Sequence, residues 1–274
     1  MTLLVIADAT EGTAARLTLV ARRLGRAVRF IVPAELATGW SHRIEGRDVQ
    51  TRLTLRDGTT IHDAVLSGVF NRLRGIPDTA VVRFKGADRE YALTELHALV
   101  VSWLSSLCCP VMNRATPNAL AGGAYSAARW QLLAHASGFD TTALRYTTSQ
   151  RRFPAKGMVR ADRVSAAHGW SPALELSGPA TFGEPIGRRS ASLLVVGETV
   201  WPEQMARQEA APLAEPCRRL ARAASVTLLR VHVTDSGAPA QPWRFAGADP
   251  MPAIFDEGPL RAIVDALGAS GAAA

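Results

Sequence analysis

Lysine is nearly absent from this chain: of 31 basic residues only Lys85 and Lys156 are lysines, and the others are arginines. Cysteine is equally scarce. Cys108, Cys109 and Cys217 are an odd set with one adjacent pair, which excludes a disulfide framework. There is no CxxC pair and no Cys/His spacing, so no zinc motif is present. A reducing compartment, the cytoplasm, is the expected location. No apolar run approaches the roughly 20 residues that span a bilayer, so no membrane partner is expected. The opening MTLLVIADAT has neither a basic n-region nor a cleavage site, and no signal peptide is expected. The first strand–helix turn, ADATEGTAA, holds one glycine, which excludes the dinucleotide fingerprint. A GxSxG elbow is missing too, and with it the usual serine-hydrolase reading of Ser102, Ser105 and Ser106.

What is present is the material of a core. The 274 residues are 47% hydrophobic and 20% charged, an ordinary globular balance. The net charge of +7 comes from scattered arginines with no dense run and no aromatic interleaving, so no nucleic-acid partner is expected. Arginine in place of lysine fits a GC-rich coding sequence, and locally it suits carboxylate or phosphate ligands.

TLLVIAD, residues 2–8, reads as a buried strand. Thr10 is placed to cap a helix over 11–25, and AVRFIV, 27–32, is a second strand. This βαβ opening predicts a parallel sheet covered by helices. Residues 40–62 alternate polar and apolar around the turn signal Asp57-Gly58, which predicts a ribbon or edge strands. AVLSGVF is a third core strand that ends in Asn71-Arg72. Residues 88–107 have the clearest helical periodicity, with Asp88 as N-cap and His97 a structural residue. PVMNRA, 110–115, is a short strand ending in Asn113-Arg114, with the adjacent Cys108-Cys109 expected to face the core. A helix over 124–137 and a strand over 143–148 follow.

Ligands in open α/β sheets bind beyond the carboxyl ends of the strands. Asp8, Asn71, Arg72, Arg74 and Asn113 fall at or just past such ends. Two readings stand side by side. In one, Arg72 and Arg74 clamp an anionic substrate and Asn71 and Asn113 orient it. In the other, the asparagines close turns, the arginines pair with Asp78, Asp88 or Glu90, and Asp8 caps the first helix.

The order of these pieces resembles one family. VFNRLRG, then DREYALTELHALVVSWLSSL, PVMNRAT and ARWQLLAHASGF, resemble the first part of the ATP-grasp ligases. The likeness is to the small carboxylate–amine ligases related to the ribosomal-protein glutamate ligase. SLLVVGETVW, CRRLARAASVTLLRVHV, WRFAGADPMPAIFD and the helix EGPLRAIVDALGAS resemble its later part. The resemblance implies an α/β fold: a pre-ATP-grasp-like parallel-sheet domain over 1–122, then a reduced ATP-grasp-like α+β domain over 123–274. It implies a ligase that forms peptide-type bonds, activating a carboxylate as an acyl phosphate for attack by an amine. ATP and magnesium are the implied cofactors, and a small acid or peptide the implied substrate.

The implied site departs from the family's pattern. Members use two lysines on the ATP phosphates, and here only Lys156 lies in the right zone. Val196, Gly197 and Glu198 are the other implied nucleotide contacts, and Arg160 and Arg189 the expected catalytic substitutes for the missing lysine. The last strand usually carries Glu-x-Asn-x-x-Pro, whereas FAGADPMPAI keeps Pro252 and offers only Asp249 as metal ligand. The stretch from Thr148 to Val195 is short for a domain that closes over ATP, and LSGPATFGEPIGRR, 176–189, is either a reduced flap or a surface loop. A degraded nucleotide site is the expectation, with a non-catalytic relative that uses no cofactor and binds a substrate or a partner protein as the alternative.

Overall fold

A computed structural model describes residues 1–37, 39–46, 48–123, 125–141, 144–147, 159–160, 180–183, 189–237 and 242–268. They fall into two units. The first comprises Met1–Ala124, Ser225–Leu228 and Pro250–Ala274; the second comprises Tyr125–Ala224 and Leu229–Asp249.

In the first unit, β1 (Thr2–Ile6) leads into α1 (Gly12–Arg23) and β2 (Ala27–Ile31). Glu11, not Thr10, caps α1: its carboxylate accepts from the backbone N–H of Ala14 at 2.6 Å. The capping side chain must reach the first free N–H groups, and a helix that starts at Gly12 puts Glu11 there. The expected ribbon is a three-stranded antiparallel sheet, β3 (Gly39–Glu45), β4 (Asp48–Thr54) and β5 (Thr60–His62). Gly58, at φ +81°, makes the turn between β4 and β5.

Strand β6 (Leu66–Asn71) runs beside β1 on the side away from β2, and β7 (Val111–Met112) completes a parallel sheet in the order β2-β1-β6-β7. Between them runs α2 (Ala87–Ser106). Its N-cap is Gly86, at φ +54°, rather than Asp88, which instead lies in the first turn where it suits the helix dipole. Alternation along the strands sends Leu4, Ile6 and Val69 into one core with Val100, Trp103 and Leu104 of α2. The opposite face lies under α1 and α5 (Glu257–Gly268), which returns to this unit.

The second unit holds α3 (Ala127–Ala136), capped by Ser126, and a small sheet in the order β8-β10-β9 made by β8 (Leu144–Thr147), β9 (Val159–Arg160) and β10 (Ala180–Gly183). A four-stranded sheet follows, order β12-β11-β13-β14, from β11 (Ser190–Val196), β12 (Thr199–Glu203), β13 (Leu228–Asp235) and β14 (Trp243–Asp249). Helix α4 (Arg207–Ala223) packs on β11 and β12. The parallel first sheet and antiparallel later sheets make the chain mixed α/β, as the sequence predicts.

Cys108 is exposed, contrary to the core-facing expectation, because α2 has ended before it. Burial pushes the Cys109 thiol up to about 11 and the Cys217 thiol up to about 12, so both are poor nucleophiles. No helix among the described residues is long and apolar enough to cross a membrane.

Gly68 on β6 lies directly beneath Leu267 of α5: an added methyl carbon would overlap the Leu267 carbonyl oxygen and stand 2.9 Å from its Cβ. Gly68→Ala is expected to lower stability by about 1–3 kcal/mol, because backbone cannot yield as a flexible side chain can. Urea unfolding followed by circular dichroism checks this.

Candidate functional site

The polar residues at the ends of β6 and β7 are buried. Asn113 stands at φ +55°, a left-handed conformation that asparagine tolerates better than most residues. Its side-chain oxygen accepts from the N–H groups of Thr227 (3.0 Å) and Leu228 (2.9 Å). Its nitrogen donates to the carbonyls of Leu228 (2.8 Å) and Pro250 (2.6 Å). All four of the amide's hydrogen-bonding positions are thus filled by backbone. The Asn71 amide donates to the carbonyls of Asn113 and Leu120, and its oxygen accepts from Leu73 N–H. These amides organise the chain around themselves, and the expected role of orienting a substrate does not fit them. Arg114 is occupied as well. Its guanidinium donates to the carbonyls of Leu104, Ser105 and Leu107 and so closes the end of α2.

Arg72 is different. It is 2% exposed, its backbone N–H continues the ladder to Ile6 at 2.8 Å, and its Nη2 donates to Glu11 (2.8 Å) and to the Met251 carbonyl (3.2 Å). Among the described residues, its Nε and Nη1 are buried without a hydrogen-bond partner. Such donors are costly to leave unmet. Chain order in this sheet reverses at β1, with β2 on one side and β6 on the other, and ligands bind outside the strand ends at such a point. Arg72 follows β6 there, with Asp8 just past β1 and exposed, and Arg74 exposed two residues on. The expected pairings with Asp78, Asp88 or Glu90 do not include Arg72: its partner is Glu11, and Asp78 pairs with Arg89 at 2.9 Å.

Sequence reasoning missed Glu11, whose only signal was its position at a strand–helix turn. Burial opposes the charge on its carboxyl, but the Arg72 guanidinium and the N–H groups of Ala14 and Thr13 outweigh burial and hold the group below its usual range. A carboxyl depressed in the folded state stabilises the fold above its unfolded pKa, and that stability is lost as pH falls through the folded value. Arg72→Ala, which leaves the Glu11 charge in a largely buried setting, is expected to cost about 3–5 kcal/mol. Glu11→Gln is expected to cost less and to flatten the acid limb of the stability–pH curve. Denaturant titrations between acid and neutral pH measure both.

The second unit carries its own polar cluster. On β11, β12 and β13, Ser192 donates to Glu203 at 2.8 Å, and Arg230 grips the same carboxylate through Nε (2.7 Å) and Nη2 (2.9 Å). Asp249, the expected metal ligand, is the cross-strand partner of Arg230 on β14, so the two share a face of the sheet. The fold family's magnesium needs several oxygen ligands around one point. Here the cross-strand partner of Asp249 is an arginine whose guanidinium is held by Glu203 two strands away, and no group of three metal-ligating side chains occurs among the described residues. These residues do not fit a divalent cation.

The other expected nucleotide residues are dispersed. Val196 is buried, and Gly197-Glu198 form the two-residue turn from β11 to β12, with Gly197 at φ +56°. Glu198 turns toward α4 and pairs with Arg222 at 2.9 Å. Arg189 is exposed, pairs with Glu209 at 3.2 Å and stacks 5.0 Å from the Trp243 ring. Arg160 is on β9, with its side chain outside the described residues, as are Lys156 and most of 176–189. The expectation of a shortened nucleotide part falls on those same residues.

No protein-family model and no curated protein sequence matches this chain. Solved structures do. The macrocyclase MdnC from Microcystis aeruginosa MRC, bound with precursor peptide MdnA, aligns at TM-score 0.71 and 14% identity over 97% of this chain and 99% of that one. A RiPP-associated ATP-grasp ligase from Chryseobacterium gregarium, in complex with ADP and a leader and core peptide, aligns at 0.69 and 14% identity over 98% and 97%. The ATP-grasp ligase PsnB, complexed with minimal precursor, Mg and ADP, aligns at 0.65 and 14% identity over 97% and 96%. A parallel sheet followed by antiparallel sheets, superimposed over nearly the whole length of each of these proteins, gives the chain the fold of the ATP-grasp superfamily.

Proposed function

We propose that this protein acts in the carboxylate–amine ligase class, on a peptide or small acid whose carboxylate meets Arg72 and Arg74 beyond β1 and β6. The observation that carries this reading is Arg72 itself, buried at a sheet's switch point with two donor atoms unpaired among the described residues. A guanidinium suits a carboxylate, and the largely exposed Arg74 and Asp8 stand at the same edge for the flanking groups of a peptide. Precursor peptides bound to the structurally similar ligases support a peptide over a free amino acid. ADP bound to two of the structurally similar ligases supports a nucleotide role for the second unit, with Lys156 as the phosphate ligand and Arg160 and Arg189 as its cationic neighbours.

The Arg230–Glu203 pair beside Asp249 favours a second reading, a non-catalytic relative that holds a peptide or partner protein without turning it over. Nucleotide binding separates the two. Calorimetry with ADP and ATP on the full chain is expected to give micromolar affinity, weakened about tenfold (~1.4 kcal/mol) by Lys156→Ala. No heat at millimolar nucleotide would sink the ligase reading and leave the binder.

A further inference from the structure

Glutamate is not among the residues that helices favour at the N-cap, yet α1 passes over Thr10, a favoured type, for Glu11. Two features of this helix end go beyond capping. The start of a twelve-residue helix offers N–H groups and a positive dipole end to an anion. Beside it lies Arg72, 2% exposed, with Nε and Nη1 buried and without a hydrogen-bond partner among the described residues. The Glu11 carboxylate bridges the two: one oxygen accepts from Ala14 N–H at 2.6 Å and the other from Arg72 Nη2 at 2.8 Å. It occupies the place of a bound anion. Tethered to α1, it reaches one nitrogen of the guanidinium fork. A free carboxylate can take the Nη2 hydrogen that Glu11 holds together with one on a neighbouring nitrogen, the bidentate arrangement that arginine favours. The turn has an open side. Asp8, Ala9, Thr10 and Gly12 are exposed, and a Cβ added at Gly12 would meet nothing within 4 Å. The Glu11 side chain is itself 15% exposed, so it has room to withdraw.

We infer that Glu11 is a resident competitor for the substrate's carboxylate at Arg72, and that it makes the site selective for peptides over free small acids. A carboxylate carried on the same turn is present at high effective concentration. A free small acid must displace it from bulk solution, and its apparent affinity is lowered by the small fraction of molecules in which Glu11 has withdrawn. A peptide already held at the edge through Arg74 presents its carboxylate intramolecularly and exchanges with Glu11 on equal terms. The inference rests on the reading of Arg72 as the seat of the substrate carboxylate and is independent of nucleotide binding, so it is tested with a small carboxylate alone.

The probe is acetate, and the readout is thermal unfolding of the full chain by circular dichroism in sodium acetate against sodium chloride at equal ionic strength. Wild-type protein is expected to melt at the same temperature in both, because Glu11 holds the site. Glu11→Ala empties it, and acetate is expected to raise the melting temperature of this variant saturably, by roughly 3 °C over chloride. Glu11→Gln keeps a neutral group in place and is expected to respond less. Adding Arg72→Gln to Glu11→Ala removes the response. If Glu11→Ala folds in acetate but not in chloride, that too supports the site. A Glu11→Ala protein that acetate neither folds nor stabilises beyond chloride, with Glu11→Gln equally indifferent, overturns the inference. A saturable acetate response in the wild type as large as in Glu11→Ala also overturns it, since Glu11 would then compete with nothing. Inorganic phosphate acting where acetate does not overturns the assignment to a carboxylate. Absent nucleotide binding in calorimetry removes the ligase reading and leaves the acetate outcome unaffected, whereas a failed acetate response with nucleotide binding intact removes this inference and leaves the ligase class.

Discussion

The fold of the first unit depends on one side-chain amide. The chain leaves this unit after Ala124, passes through it again at Ser225–Leu228, and returns for good at Pro250. Asn113 holds both later passages: it bonds Thr227 and Leu228 on one side and the Pro250 carbonyl on the other. Nothing apolar could do this, because the groups to be satisfied are backbone donors and acceptors removed from water. Asn71 then bonds the Asn113 carbonyl and so ties the end of β6 to the same knot. Close packing makes room for it. Gly122, at φ +67°, lets its backbone pass so near the Arg114 carbonyl that an added methyl carbon would stand 2.6 Å from it.

Once the returning segment is fixed, its Met251 carbonyl and the N–H of Ile254 are placed for Arg72 and Thr13. Arg72 and Glu11 are therefore positioned by a constraint that begins some distance away, at Asn113. The two units share a local device. In each, a largely buried arginine at the sheet is locked by a glutamate, Arg72 by Glu11 and Arg230 by Glu203. Such pairs add little net stability over apolar packing, but removing one partner strands a charge. Their value is positional: each presents a guanidinium in a fixed orientation without the mobility of an exposed side chain.

Local pattern made several elements legible. The runs TLLVIAD and AVLSGVF, the periodicity of α2 and the turn at Asp57-Gly58 need only short-range rules, and the structure bears them out. The caps were less legible. Thr10 and Asp88 are good capping residues by type, but which residue caps depends on where the helix begins, and that is set by packing. At the site, residue type marked the strand ends but did not separate substrate contacts from amides that hold the backbone. Asn71 and Asn113 do stand at strand ends, yet their amides face the backbone of residues far along the chain, which no local window contains.

By itself, then, the sequence determined the alternation of strands and helices, the arginine-dominated chemistry and the placing of Asn-Arg pairs at strand ends. These follow from side-chain type and spacing over a few residues. Only the tertiary structure decided that Glu11 meets Arg72 and that Glu203 meets Arg230 beside Asp249. Those partners are dozens of residues apart, and their meeting depends on strand order and register. A shift of one residue in either strand would have turned the same side chains to the opposite face.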